Sequence, residues 1–210
     1  MSDAAEFVDS TIQREANWIR AEDYERTIGT GLRFYGASVG AVRGTVRDAL
    51  RRYRGLTHDQ ITALSSELWD VPIFERRLAA VVLLQSNVEL LTGSDLTRLE
   101  GFLRQAPLPE LADPLAVDVV GPLLAGLEGA ERYRADRVTE RWAGDEDPWL
   151  RRAALLSHAA SLKVKGAVAG APDLRGRNLA TWAAQADDGG TKVPEIVQEA
   201  IRQLTGEDSG

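Results

Sequence analysis

The chain has 210 residues, with 25 Lys and Arg against 32 Asp and Glu, a formal net charge of −7, no Cys and one Met. A chain of that length buries on the order of 70% of its unfolded surface in one core and needs no covalent or metal staple. The absence of Cys excludes disulfide frameworks, Cys-ligated zinc, iron–sulfur clusters and thiol nucleophiles, and the acidic balance, taken whole, argues against a polyanionic partner.

The N-terminal stretch MSDAAEFVDSTIQREANW is acidic and polar. No apolar run approaches the roughly 18 residues of a membrane span. Neither a signal peptide nor a transmembrane helix is therefore expected, and the cytoplasm is the expected compartment.

Apolar spacing is helical almost throughout, and no segment alternates with period two for long enough to propose a sheet. Gly29-Thr30-Gly31 lacks the strand–turn–helix frame of a phosphate-binding loop. Beyond Gly36 and Gly40, the residues Val42, Val46, Ala49, Leu50 and Tyr53 make one helical stripe that ends near Gly55. Thr57 is placed to cap the next helix, which carries Ile61, Leu64 and Leu68. Past Pro72 a stripe runs through Phe74, Leu78, Val81 and Val82, and past Gly93 the expected cap is Ser94. After Pro107 and Pro109 a helix is expected from Leu115 to Leu127, closed by Gly129. Asp147 should cap a helix that opens Pro148-Trp149-Leu150-Arg151-Arg152, and Val193, Ile196, Val197, Ala200, Ile201 and Leu204 form the last stripe.

Short helices joined by tight turns predict an all-α fold, a curved superhelical stack of antiparallel HEAT-like helix pairs. A compact irregular bundle is the rival arrangement. No linker or composition shift divides the chain, so one domain over 1–204 with a short tail at 205–210 is expected.

Net charge conceals an asymmetry. Between Arg26 and Arg54 stand seven Arg and one acid, Asp48, a surplus of six; between Arg151 and Trp182 stand four Arg and two Lys against Asp173, a surplus of five. Two basic segments in an acidic chain suit a one-sided surface for phosphates, with the acids facing away. Arg runs are otherwise ordinary solvated helix faces. Arg47, Arg51 and Arg54 share one helical face.

Few residues qualify for chemistry. His58 and His158 are the only histidines, and neither has metal-ligand spacing around it. No G-x-S-x-G elbow is present. His158 lies within a helix, where packing is its usual role. The five Trp, at 18, 69, 142, 149 and 182, suit a core better than a stacking platform. Asp118 stands out. It interrupts the apolar run Leu115-Ala116-Val117-Asp118-Val119-Val120, where a charge costs several kcal/mol unless it is paired or faces a cleft or solvent. Arg151 and Arg152 are its candidate partners, or else clamps for phosphate.

Four ordered segments resemble the AlkD-type DNA alkylation repair glycosylases. Phe34-Tyr35-Gly36 followed by Arg43 is similar to the family's early FLGI…P-x-x-R turn, and Ser66-Glu67-Leu68-Trp69 with Glu75-Arg76-Arg77 and Ala79-Ala80 to its ELW…E-R-AA segment. Leu115 to Pro122 resembles the W-x-x-VD-x-x-AP catalytic helix, and Trp149-Leu150-Arg151-Arg152-Ala153-Ala154 the W-L-x-R-A-A segment. The resemblance implies HEAT-like pairs whose concave surface cradles duplex DNA. It further implies hydrolysis of the N-glycosidic bond of cationic N3- or N7-alkylated purines without base flipping, with Asp118 as the catalytic carboxylate and Arg152 on the DNA backbone. Arg151, Arg43, Arg47 and Arg51 are the further expected DNA contacts. No cofactor and no metal are implied, and a monomer is expected.

The chain departs from the pattern at two places. Pro114 stands where the family has Trp, four residues before the catalytic Asp, and Trp182 is the only candidate for a second cradle Trp. A missing aromatic wall implies either a wider cleft for bulky adducts or weakened catalysis. The expectations from other classes are a DNA-binding member without catalysis and a protein-binding helical scaffold.

Overall fold

The structure is a computed structural model that describes residues 1–28, 31–106 and 108–164, with 183, 197 and 198, and side chains continuously to 160. Its helices are α1 (Asp3–Arg14), α2 (Trp18–Ile28), α3 (Val39–Arg52), α4 (His58–Trp69), α5 (Phe74–Gln85), α6 (Leu96–Arg104), α7 (Pro109–Pro114), α8 (Gly121–Gly126), α9 (Gly129–Ala143) and α10 (Pro148–Val164). Short 3-10 turns lie at Val88–Leu90 and Gly93–Asp95, and a π-helical segment, Leu115–Val120, joins α7 to α8. The fold is all-α; the one bridge among the described residues is an isolated parallel pair, Arg33 with Ile73. No described helix is long and apolar enough to cross a membrane. The final stripe and the tail at 205–210 lie outside the described residues, apart from Val197 and Gln198.

Chain packing falls into two compact units, Met1–Leu90 and Leu91–Gly210. In the first, α5 packs against α3 and α4, and α1 against α3 and α4. The expected stripe on α5 understates its burial, because every residue from Phe74 to Leu84 is buried, Glu75, Arg76 and Arg77 included. Each charge there has a partner, which is what makes its burial tolerable. Arg76 Nη1 lies 2.9 Å from Asp9 and its Nη2 donates to the Glu67 carbonyl at 2.9 Å. Arg77 Nε donates to the Trp69 carbonyl at 3.2 Å, with the guanidinium 5.1 Å from the Trp69 ring centre. Burial lowers the pKa of Arg77. Glu75 accepts from two backbone N–H groups of the extended segment before α3. Tyr35 in that segment donates its hydroxyl to Asp9 at 2.9 Å, and burial, then the Asp9 carboxylate, raises its pKa.

Caps follow the sequence at two of three sites. Thr57 forms a reciprocal capping box with Gln60 at the start of α4. Asp147 accepts the Trp149 N–H at 2.8 Å as α10 begins, with Pro148 in the first position, where a missing donor costs nothing. Ser94 is not the cap. It lies inside the turn Gly93–Asp95, where Thr92 and Asp95 satisfy each other's backbone donors, because the chain makes a 3-10 turn before α6 begins.

In the second unit α10 packs against α8, α9 and the π segment and reaches α6 and α7. At one edge Glu100 on α6 gathers Trp142 Nε1 at 2.8 Å, Arg104 at 2.9 Å and Arg141 at 2.5 Å. Arg104 extends the network to Asp145 at 2.7 Å.

Candidate active site

Between Leu108 and Leu127 the chain is one helix with an interruption. Its buried side chains recur in pairs, Leu111 and Ala112, Leu115 and Ala116, Val119 and Val120, Leu123 and Leu124, a repeat of four, with Gly121 buried between the last two pairs. An α-helix repeats every 3.6 residues, so a strict spacing of four drifts by about 40° per turn away from the core. A π turn has more residues than an α turn and takes up that drift. Accordingly the helix widens at Leu115–Val120, and the Gly121 N–H bonds back to the Ala116 carbonyl, five residues earlier. Two prolines bound the wide turn. Pro114 ends α7, and Pro122, lacking an N–H, cannot continue the ladder to the Val117 carbonyl.

The same spacing sets what faces away from the core. Asp113, Pro114 and Val117 are half-buried and Asp118 is exposed. The charge in the apolar run is thus accommodated at an outward position rather than within the core. Pro114 stands one four-residue step before Asp118 on that outward face.

Arg152 projects from the first turns of α10 toward this helix. Its Nε and Nη2 donate to the two carboxylate oxygens of Asp113 at 2.7 and 2.6 Å, a bidentate pair whose side chains are 22% and 29% exposed. The hydrogen bonds to Asp113 raise the pKa of Arg152. The sequence suggested Arg151 or Arg152 as partners of Asp118; the carboxylate that holds Arg152 is Asp113, five residues earlier. Nothing in the sequence pattern singled Asp113 out, since it lies before the apolar run. Arg151 donates through Nη1 to the carbonyls of Asp145 and Glu146 at 2.7 and 2.8 Å, bracing the turn between α9 and α10.

In the first unit the expected arginine contacts share an exposed face. Arg43, Arg47, Arg51 and, just past the end of α3, Arg54 are all exposed. The spacing of four places Arg43, Arg47 and Arg51 along one side of α3, whereas Arg54, expected on the same face, follows the non-helical Tyr53 and is off the helix. Asp48 lies 3.8 Å from Arg47 and 3.6 Å from Arg51, leaving the row strongly cationic. Arg52, off this line, lies over the Phe7 ring at 5.1 Å. The second basic segment, 151–182, runs past the described residues.

The aromatic candidates divide. Trp69 and Trp142 are core residues, 1% and 0% exposed, and Trp149 is half-buried. Trp18, against expectation, is 75% exposed on α2, which has no buried residue of its own. Trp182 lies outside the described residues. His158 is buried within α10, and His58 Nδ1 lies 2.8 Å from Asp59 at the surface.

A family model described as DNA alkylation repair enzyme matches residues 8–201. No curated protein matches the chain.

Proposed function

The chain belongs to the DNA alkylation repair enzyme family, and on that premise we propose that it is a DNA glycosylase that removes cationic N3- or N7-alkylated purines from duplex DNA. The observation that carries this reading is Asp118, exposed on the outward face of a π-interrupted helix in the second unit, with Arg152 bonded to Asp113 of the same helix.

An N-alkylated purine already carries the positive charge that a leaving group needs. No acid has to protonate it. As the bond between the sugar C1′ and the purine nitrogen breaks, its electron pair departs with the base, which becomes neutral, while positive charge builds on the deoxyribose. A carboxylate beside the sugar stabilises that oxocarbenium-like charge. It also orients a water whose oxygen bonds to C1′ and whose proton passes to the carboxylate or solvent. The products are a free base and an abasic site. In this proposal Asp118 is the catalytic carboxylate, Arg152 and Arg151 meet the DNA backbone, and Arg43, Arg47 and Arg51 supply further phosphate contacts. Trp182 is proposed as the remaining aromatic wall, attracting the cationic lesion by about 0.5–2 kcal/mol. The base is not flipped into a pocket, and the protein acts as a monomer in the cytoplasm, its helices stacked as HEAT-like pairs. Neither cofactor nor metal enters the scheme.

Base release from one duplex carrying N7-methylguanine and another carrying a bulky N3-adenine adduct tests the proposal. Wild type should release at least one of the two bases. Asp118→Asn should abolish release while leaving duplex affinity nearly intact; equal activity of the variant would remove Asp118 from the mechanism. Pro114 in the place of an aromatic wall favours one second reading, a DNA-binding member without excision. It predicts salt-sensitive duplex binding with neither base released.

A further inference from the structure

We infer that Asp113 is a positioning residue that orients Arg152 for a DNA phosphate, an inference that rests on the reading of Arg152 as a backbone contact. A guanidinium has five N–H donors on three sides of a plane. Asp113 occupies the Nε–Nη2 edge with two bonds, of 2.7 and 2.6 Å. Nη1 has no bond to any described residue, so the Nη1–Nη2 end of the fork remains for a second two-oxygen acceptor. A phosphate presents such a pair of oxygens, and Arg takes carboxylate and phosphate in the same bidentate geometry.

Exposure is consistent with that division of labour. At 22% and 29% exposed, the two side chains are shielded enough for their attraction to survive salt, yet Arg152 remains open to a ligand. A free arginine on α10 would sample many rotamers and lose that freedom on binding. Fixed by Asp113, it has lost it beforehand. The π segment begins two residues after Asp113, so one irregular helix carries both the carboxylate assigned to the sugar and the one that orients the backbone contact.

The sign of one substitution separates positioning from simple charge competition. Removing Asp113 deletes a negative charge beside Arg152, which by electrostatics alone tightens DNA binding. If Asp113 instead orients Arg152, binding weakens. The measurement is the affinity of the full chain for an undamaged duplex across a range of salt concentrations, with the folded state of every variant checked by circular dichroism.

Arg152→Ala is expected to weaken binding about tenfold and to reduce the salt slope by about one. Asp113→Ala should do the same despite the added net positive charge, Asp113→Glu should restore part of the loss, and Asp113→Ala should add nothing in an Arg152→Ala background. A merely structural role would not lower the salt slope or vanish in that background. Tighter or unchanged binding by Asp113→Ala overturns the inference, as do additive losses in the double variant. If wild type releases no alkylated base but the binding pattern is as expected, the inference stands and the glycosylase reading falls. If base release depends on Asp118 but Asp113→Ala tightens binding, the reverse holds. No binding of duplex by wild type overturns both.

Discussion

Glu75 holds the turn at Gly36 with both carboxylate oxygens: one accepts the Tyr35 N–H at 3.0 Å, the other the Gly36 N–H at 2.7 Å. Gly36 has a φ of +77°, and a Cβ there would meet the Asn17 carbonyl oxygen at 2.1 Å. This is where the extended segment crosses the start of α5 and where α2 begins, with the Asn17 N–H donating to the Tyr35 carbonyl at 3.0 Å.

Gly36→Ala therefore combines a left-handed backbone with a clash against backbone atoms, which no rotamer change relieves. A loss of roughly 3 kcal/mol or more is expected in urea unfolding. Glu75→Ala leaves two backbone donors without their charged acceptor and should cost about 2–4 kcal/mol. A loss below about 0.5 kcal/mol for either variant would mean that the turn does not hold the first unit together.

That turn shows what the sequence could and could not reveal. Phe34-Tyr35-Gly36 and Glu75-Arg76-Arg77 were legible as two separate family-like segments, but the contact between them spans about forty residues and leaves no local periodicity. Helices such as α3 and α4 were legible because one buried stripe, a cap at Thr57 and a breaker at Gly55 agree. Full burial of α5 was not, since a run of Glu-Arg-Arg reads as solvated until Asp9, Glu67 and Trp69 supply its partners. The four-residue spacing of Leu111, Leu115, Val119 and Leu123 contained the π turn, though it passes for an ordinary helical stripe when read at period 3.6. Asp118 was recognisable as a charge in an apolar run. Asp113 was not, because its importance depends on Arg152, thirty-nine residues away.

At the edge of the second unit, burial pushes the Glu100 carboxyl up, but hydrogen bonds from Trp142, Arg104 and Arg141 together outweigh it and hold the pKa below the ordinary 4.5. A depressed carboxylate pKa adds stability that is present in full above the unfolded value and is lost as pH falls through the folded one. Glu100→Gln should thus cost roughly 2 kcal/mol near neutrality, with Trp142 Nε1 and two guanidiniums left poorly matched. The difference in Tm between variant and wild type should shrink once pH drops below about 4.5, as wild type loses the same charge. A difference that stays constant from pH 7 to pH 3 would show that the ionised form of Glu100 contributes nothing.

On the exposed line of α3, each guanidinium that meets a phosphate releases a counterion. The logarithm of affinity then falls with the logarithm of salt by about 0.9 for each contact. Replacing Arg43, Arg47 and Arg51 together by Ala should lower that slope by about two to three and weaken binding to any duplex sequence alike. Folding stability should barely change, since all three are exposed and Asp48 is their only ion-pair partner among the described residues. An unaltered slope would remove this face from the DNA interface.

On the proposed glycosylase reading, Pro114 bears on which lesion is removed. It stands four residues before Asp118 on the outward face, half-buried, at the entry to the π turn. An aromatic side chain there would lie one turn from the carboxylate, able to attract a cationic base but also to crowd a large adduct. Pro114→Trp is expected to raise kcat/KM on N7-methylguanine by a few-fold up to about thirtyfold, the range that about 0.5–2 kcal/mol of cation–π attraction spans. On the bulky N3-adenine adduct kcat/KM should fall. The substitution also restores a backbone N–H inside a helix, so a loss of fold is not the expected cause of either change. The ratio of the two specificity constants is the decisive measurement. Parallel changes on both substrates would mean that this position does not shape the cleft, and that the missing aromatic wall reflects weakened catalysis rather than room for a larger lesion.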